Sequence, residues 1–186
     1  MTLQSIASRL CQCVRRFARD PRGVSAVEFA MLLPLMLTLY LGGVEVSQGV
    51  SIDRKVTLTA RAVADLAAQA TTINNSEMSN ILNAAAAVAA PFPVAQMKVT
   101  VSSISIDAQG TGRVTWSDAL NGTPRAVNQV VALPQALAIP NSTLIWGEVS
   151  YSYTPSIGYV VTGTLDLNDQ IYMRPRLSTS VTRVNS

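Results

Sequence analysis

The sequence predicts an α+β protein: a long N-terminal transmembrane helix continuing into a helical stalk and carrying a small antiparallel-sheet head. Three observations carry that prediction. An uncharged apolar run at residues 29–44, extended backwards by residues 24–27, is about twenty residues long, or ~30 Å as a helix, which spans a bilayer core. From residue 45 to about residue 72 no proline interrupts a helical pattern. After Pro93 the texture changes to short alternating runs separated by Asn, Gly and Pro. The 186 residues thus divide into a basic leader (1–23), a membrane helix (24–46), a stalk (47–90) and a mostly-β periplasmic head (91–186).

Charge belongs to the leader. Residues 1–23 hold five arginines against one aspartate, a balance of +4, while residues 24–186 hold nine basic and ten acidic side chains, a balance of −1. No basic patch with interleaved aromatics follows, so nucleic acid is not an expected partner. The two cysteines, Cys11 and Cys13, both lie in the leader, which excludes a disulfide framework downstream. Their C-x-C spacing fits a metal or acylation site, or two incidental thiols; no other soft ligand accompanies them.

The arginines ahead of the apolar run outnumber Arg54 and Lys55 behind it, so the N-terminus is expected in the cytoplasm and the head outside the inner membrane. A cleaved secretory signal is the competing reading. It fits poorly, because its small-x-small site, Ser47-Gln48-Gly49, is a poor one, the core is long for that role and Glu45 intrudes before the site. Pro34 removes an amide donor and crowds the Ala30 carbonyl, which predicts a kink or local loosening in the membrane. Glu28 is costly at the edge of a bilayer core unless it is paired or close to the interface.

Residues 22–29 read Arg-Gly-Val-Ser-Ala-Val-Glu-Phe. This resembles the class III (Flp-type) prepilin signal: Gly23 before the cut, Val24 as the new N-terminus, Glu28 as the fifth mature residue, and Phe29 where tyrosine is usual. Residues 25–37, with Ala-Val-Glu-Phe-Ala and the intramembrane Pro34, resemble the opening of TadE-like minor pseudopilins of the tight-adherence (Tad) pilus. The runs Glu-Val-Ser-Tyr-Ser-Tyr-Thr-Pro at 148–155 and Met-Arg-Pro-Arg at 173–176 look like the C-terminal part of that group. The resemblance implies cleavage between Gly23 and Val24 by a membrane prepilin peptidase. It also implies that Glu28 contacts the N-terminal amine of an adjoining subunit. The implied partners are the peptidase, other pseudopilins, the major pilin and inner-membrane lipid. Major Flp pilins are much smaller, so the fibre-forming subunit is not the expected role. Read without the resemblance, Gly23 would simply cap the helix start.

In the stalk, Val56, Ala60, Val63, Ala67 and Ala70 recur at helical spacing and fit either a bundle of neighbouring helices or the chain's own domain. Gly42, Gly43 and Gly49 weaken the helix and suggest a joint. Residues 77–90 predict an Ala-rich helix capped by Ser76 and stopped by Pro91 and Pro93. In the head, Met97, Val99 and Val101 alternate with polar residues before the apolar phase slips to Ile104 and Ile106, which suggests a bulge around Ser102-Ser103. A turn at 107–112 leads to a return strand through Val114 and Trp116. The connection at 121–143 is expected to contain a short helix near 127–132. Strands follow at 144–153, 159–167 and 170–174.

Catalysis has little support. The chain has no histidine, which removes Ser-His and Cys-His systems and histidine metal sites. Gly110 and Gly112 lack a phosphate-binding context. Asp107, Asp118, Glu148, Asp166 and Asp169 are expected as solvated strand ends and turns, and Asp166, Asn168 and Asp169 lack the full calcium-loop pattern. Tyr151, Tyr153 and Tyr159 fit sheet packing better than an exposed stripe. No catalytic residue, cofactor, metal or small-molecule substrate is expected. Two function classes stand: a pseudopilin that assembles with, initiates or tips a pilus, and a single-pass envelope protein with a binding or structural head that never enters a fibre.

Overall fold

Pro21 opens the first helix of the described residues, at the position where a missing amide and a fixed φ suit helical geometry. The computed structural model describes residues 21–155 and 163–184. Helix α1 (Pro21–Ala68) is continuous through Pro34 and through the three glycines at which a joint was expected. At its far end the Ala68 carbonyl accepts the Arg176 N–H at 2.8 Å, so a distant segment supplies the partner that a helix terminus lacks.

The described residues form two units, 21–46 and 47–155 with 163–184. In the first, large apolar side chains are exposed along the whole length of the helix. The second is an α+β unit. Thr71 leads into β1 (Thr72–Ile73), followed by α2 (Asn75–Ala89), a single 3-10 turn (Val94–Gln96) and the strands β2 (Met97–Ile106), β3 (Gly112–Leu120), β4 (Val130–Val131), β5 (Ser142–Tyr153), β6 (Leu165–Met173) and β7 (Thr182–Arg183). Strands β4-β3-β2-β5-β6 form one antiparallel sheet, and β1 pairs with β7 in parallel.

One sheet face carries Met97, Val99, Val101, Ile145, Val149 and Tyr151. Ile52, Val56, Ala60, Val63 and Ala67 of α1 and Met78, Ile81 and Ala85 of α2 cover it. Of the two packings open for the helical stripe, the one found is therefore the chain's own core. A second, smaller cluster on the opposite face gathers Ile104, Val114, Val131 and Trp146.

These two clusters explain the phase slip in β2. That strand pairs with β5 without a break, from Met97 opposite Tyr151 to Ile106 opposite Ser142. The apolar residues change faces; the backbone of β2 does not bulge. The irregularity lies where expected, but the extra residue is in β3. Ser103 faces Trp116 and Ile104 faces Val114, leaving Thr115 between them. One inserted residue lets Val114 and Trp116, two apart, serve opposite faces.

Four local expectations are corrected. Helix α2 is capped by Asn74, not Ser76: the Asn74 side chain accepts the Glu77 N–H and Glu77 accepts the Asn74 N–H, both at 2.8 Å. Reciprocal satisfaction of two free donors outweighs the single bond that Ser76 could make. Near 127–132 there is no helix; Val130 and Val131 pair with Arg113 and Gly112. The predicted strand at 159–167 begins only at Leu165, and residues 159–162 lie outside the described residues. From Leu165 the strand runs unbroken to Met173, absorbing most of the predicted strand at 170–174.

Candidate functional site

The residues singled out near the N-terminus all lie in the first turns of α1. Gly23 is the third residue of that helix, inside it rather than at its cap. A Cβ added at Gly23 meets nothing within 4 Å. Glycine within a helix costs about 1 kcal/mol relative to alanine, and no packing among the described residues accounts for it. Val24 and Glu28 are four residues apart and share a helix face. Phe29 is exposed, and helix continues on both sides of Pro34.

Between Val24 and Tyr40 eleven large apolar side chains are exposed, on every side of the helix. Leaving such side chains in water forgoes ~1.5–3 kcal/mol each, or ~15 kcal/mol and more in total, which exceeds the ~5–15 kcal/mol net stability of a whole domain. A helix apolar all round needs an apolar solvent. From Gly23 onward α1 is long and apolar enough to cross a membrane, consistent with a single-pass anchor. Its Thr38 hydroxyl donates to the Pro34 carbonyl at 2.8 Å, so the polar group is satisfied within the helix, as lipid requires. Glu45 is 2 % exposed and partnered. Cys11 and Cys13 lie outside the described residues.

The head offers a second feature. On the sheet face away from the helices an open groove of about 720 Å³ runs beside Lys98, Thr100, Arg125, Glu148, Asn168 and Gln170. Arg125 donates through Nε at 3.0 Å and Nη2 at 2.7 Å to the Glu148 carboxylate. Its guanidinium lies 4.0 Å from the Trp146 ring centre, and Trp146 stacks on Tyr172 at 5.3 Å. Trp146 Nε1 donates to Gln170 Oε1 at 3.2 Å. Burial pushes the Tyr172 phenol above its ordinary range, the Glu148 charge adds to this, and Arg125 works against it. The charged pair is mutually neutralised and fixes the groove wall.

The five carboxylates do not converge. Asp107 caps its turn, accepting the N–H groups of Gln109 and Thr111. Asp166 accepts from the Ser152 hydroxyl at 2.8 Å. Asp118 and Glu148 differ from expectation, being ion-paired with Arg183 and Arg125 across 65 and 23 residues of chain. No spacing rule reaches pairs so far apart. Asp166 and Asn168 share one face of β6 while Asp169 alternates to the other, and among the described residues no group of three metal-ligating side chains comes together. Tyr151 and Tyr153 are core residues; Tyr159 lies outside the described residues.

No curated protein and no solved structure matches the chain. The model of the TadE-like protein family matches residues 23–65, nearly the whole of α1. Over that segment, from Gly23 through the apolar helix and into the part that packs on the sheet, the chain is similar to the TadE-like family, consistent with a TadE-like protein of the Tad pilus system.

Proposed function

We propose that this chain is a membrane-anchored minor pseudopilin, cut by a prepilin peptidase between Gly23 and Val24, that takes part in assembly, initiation or the tip of a Tad/Flp-type pilus. The observation that carries the reading is Gly23 in its setting: a helical glycine that no contact among the described residues requires, directly before Val24 and five residues before Glu28. A peptidase requires it, because a residue without a Cβ lets extended backbone enter a confined site. The cut lies in the first helical turn, whose N–H groups have no partners within the helix, so local unwinding there costs little. Cleavage would create an ammonium at Val24, one turn from Glu28 or beside the Glu28 of a neighbouring subunit. The costly carboxylate would then gain a partner at the membrane edge. In this reading the N-terminus is cytoplasmic, the head is periplasmic, the anchor sits in the bacterial inner membrane, and the partners are other pseudopilins and the major pilin. The protein contributes contacts rather than catalysis.

The grooved head keeps a second reading in play, a single-pass envelope protein with a binding head that never joins a fibre. Glu28→Ala separates the two. The pseudopilin reading expects this variant to be cut normally yet to leave cells without pili, as counted by electron microscopy. Unchanged pili in that variant would remove the proposed role of Glu28.

A further inference from the structure

A groove of about 520 Å³ opens on the helix-bearing side of the sheet, at the end that neither α1 nor α2 lines. Its wall is rich in hydroxyls: Ser103, Ser105, Thr115, Thr143, Ser180 and Thr182. Ser103 is 1 % exposed, and its Oγ has no hydrogen-bond partner among the described residues. A buried hydroxyl left unpaired costs about 1–3 kcal/mol, so this atom is short of a partner that something entering the groove would supply. Ser105 and Thr143 stand directly opposite each other on β2 and β5, about 5 Å apart at their Cβ atoms.

The walls are held in advance. Thr115 Oγ1 donates to the Ser103 carbonyl at 3.1 Å, fixing the inserted residue of β3. Trp116 Nε1 donates to the Val181 carbonyl at 2.7 Å, fixing the C-terminal segment against the sheet. Pre-formed walls lose little freedom when a ligand binds.

We infer that this groove binds a neutral saccharide. Serine and threonine hydroxyls both donate and accept, as a polyol does. Among the described residues Arg183 is the only charged one lining the groove, and it is committed to Asp118 at 2.9 Å. An extended peptide is disfavoured, because the backbone groups of β2 between β3 and β5 are already spent in the sheet. The exposed side chain of Val127 offers an apolar surface to the C–H face of a sugar ring, while the largely buried Trp116 backs the groove floor. The volume falls within the ~300–1,000 Å³ typical of small-ligand pockets. This assignment does not depend on the pilus reading.

The test uses the full chain in lipid nanodiscs, free of sugar-based detergents, titrated with maltotriose, cellotriose, mannotriose and chitotriose. The Trp116 indole N–H signal in NMR reports the groove, and calorimetry gives the affinity. At least one trisaccharide is expected to shift that signal saturably. Ser103→Ala and Thr143→Val should each weaken binding about tenfold, the worth of one hydrogen bond of about 1.4 kcal/mol. Ser103→Ala should melt no lower than the parent, since it removes an unpaired group. The inference is overturned if no trisaccharide shifts the signal, if both variants bind as the parent does, or if a uronate trimer or an extended peptide binds in preference.

Discussion

Gly147 of β5 lies so close to α1 that a Cβ on it would stand 2.9 Å from the Ala60 carbonyl oxygen and 3.0 Å from the Ala64 Cβ. Helix and sheet approach to within backbone contact here because glycine faces alanine. The same helix carries the apolar anchor in its earlier turns, so the segment that reads as membrane and the segment that builds the core are one continuous piece of chain. Gly147→Ala is expected to lower stability by about 1–3 kcal/mol, or ~3–10 °C in Tm, since a helix carbonyl cannot swing aside as a flexible side chain can. Gly122→Ala, where the nearest atom is 3.7 Å away, should be near neutral. Equal melting of the two variants, measured by circular dichroism, would contradict the close approach.

Arg183 ties the C-terminal segment to three other elements. It donates to Asp118 of β3 at 2.9 Å, to Asn75 of α2 at 2.7 Å and to the Ile73 carbonyl of β1 at 3.3 Å. Arg183→Leu is expected to cost about 2–4 kcal/mol, because it strands a partly buried carboxylate and several acceptors together. Arg183→Lys should recover less than half of that loss, since a point charge cannot reproduce the fork. Full rescue by lysine in denaturant unfolding would show that charge alone matters.

The cap of α2 gives a contrast between two neighbouring residues. Asn74→Ala should destabilise by about 1 kcal/mol, through loss of the reciprocal bonds with Glu77, while Ser76→Ala changes little. The reverse order of melting temperatures would restore Ser76 as the cap.

Alkaline pH acts through Tyr151 and Tyr172. Burial raises both phenols, with Tyr153 adding to the rise at Tyr151 and Glu148 to that at Tyr172. A phenol whose folded pKa lies above its unfolded value of about 10 favours the folded state while protonated. That contribution is fully present below about pH 10 and is lost as pH rises through the folded value. Stability should therefore fall above about pH 10, and spectrophotometric difference titrations against Tyr151→Phe and Tyr172→Phe should place both groups late. Ordinary phenol titration at either position would refute its burial.

What could be read from the sequence follows the reach of each signal. The apolar run and the α+β division were visible because they rest on composition and on period over many residues. The slip from Val101 to Ile104 was visible too, but period alone cannot say that both faces of the sheet are covered, nor that the added residue, Thr115, sits on the neighbouring strand. Val130–Val131 is two residues long, too short to display any period, and its pairing with Gly112 and Arg113 depends on a partner well upstream. The ion pairs of Asp118 and Glu148 depend on chain closure rather than spacing. The Asn74 cap was within reach, since Asn-x-x-Glu precedes the helix. At Gly23 the sequence offers a cap or a cut, and which of the two applies depends on processing rather than on packing, since an added Cβ there meets no described atom within 4 Å.

The most direct test of the account is the intact mass and N-terminal residue of the full-length protein extracted from membranes of cells that make the pilus, with Gly23→Ala alongside. The account predicts a mature chain beginning at Val24, and an uncut chain when Gly23 is replaced. An uncut parent chain, or a cut beyond residue 44, would contradict it.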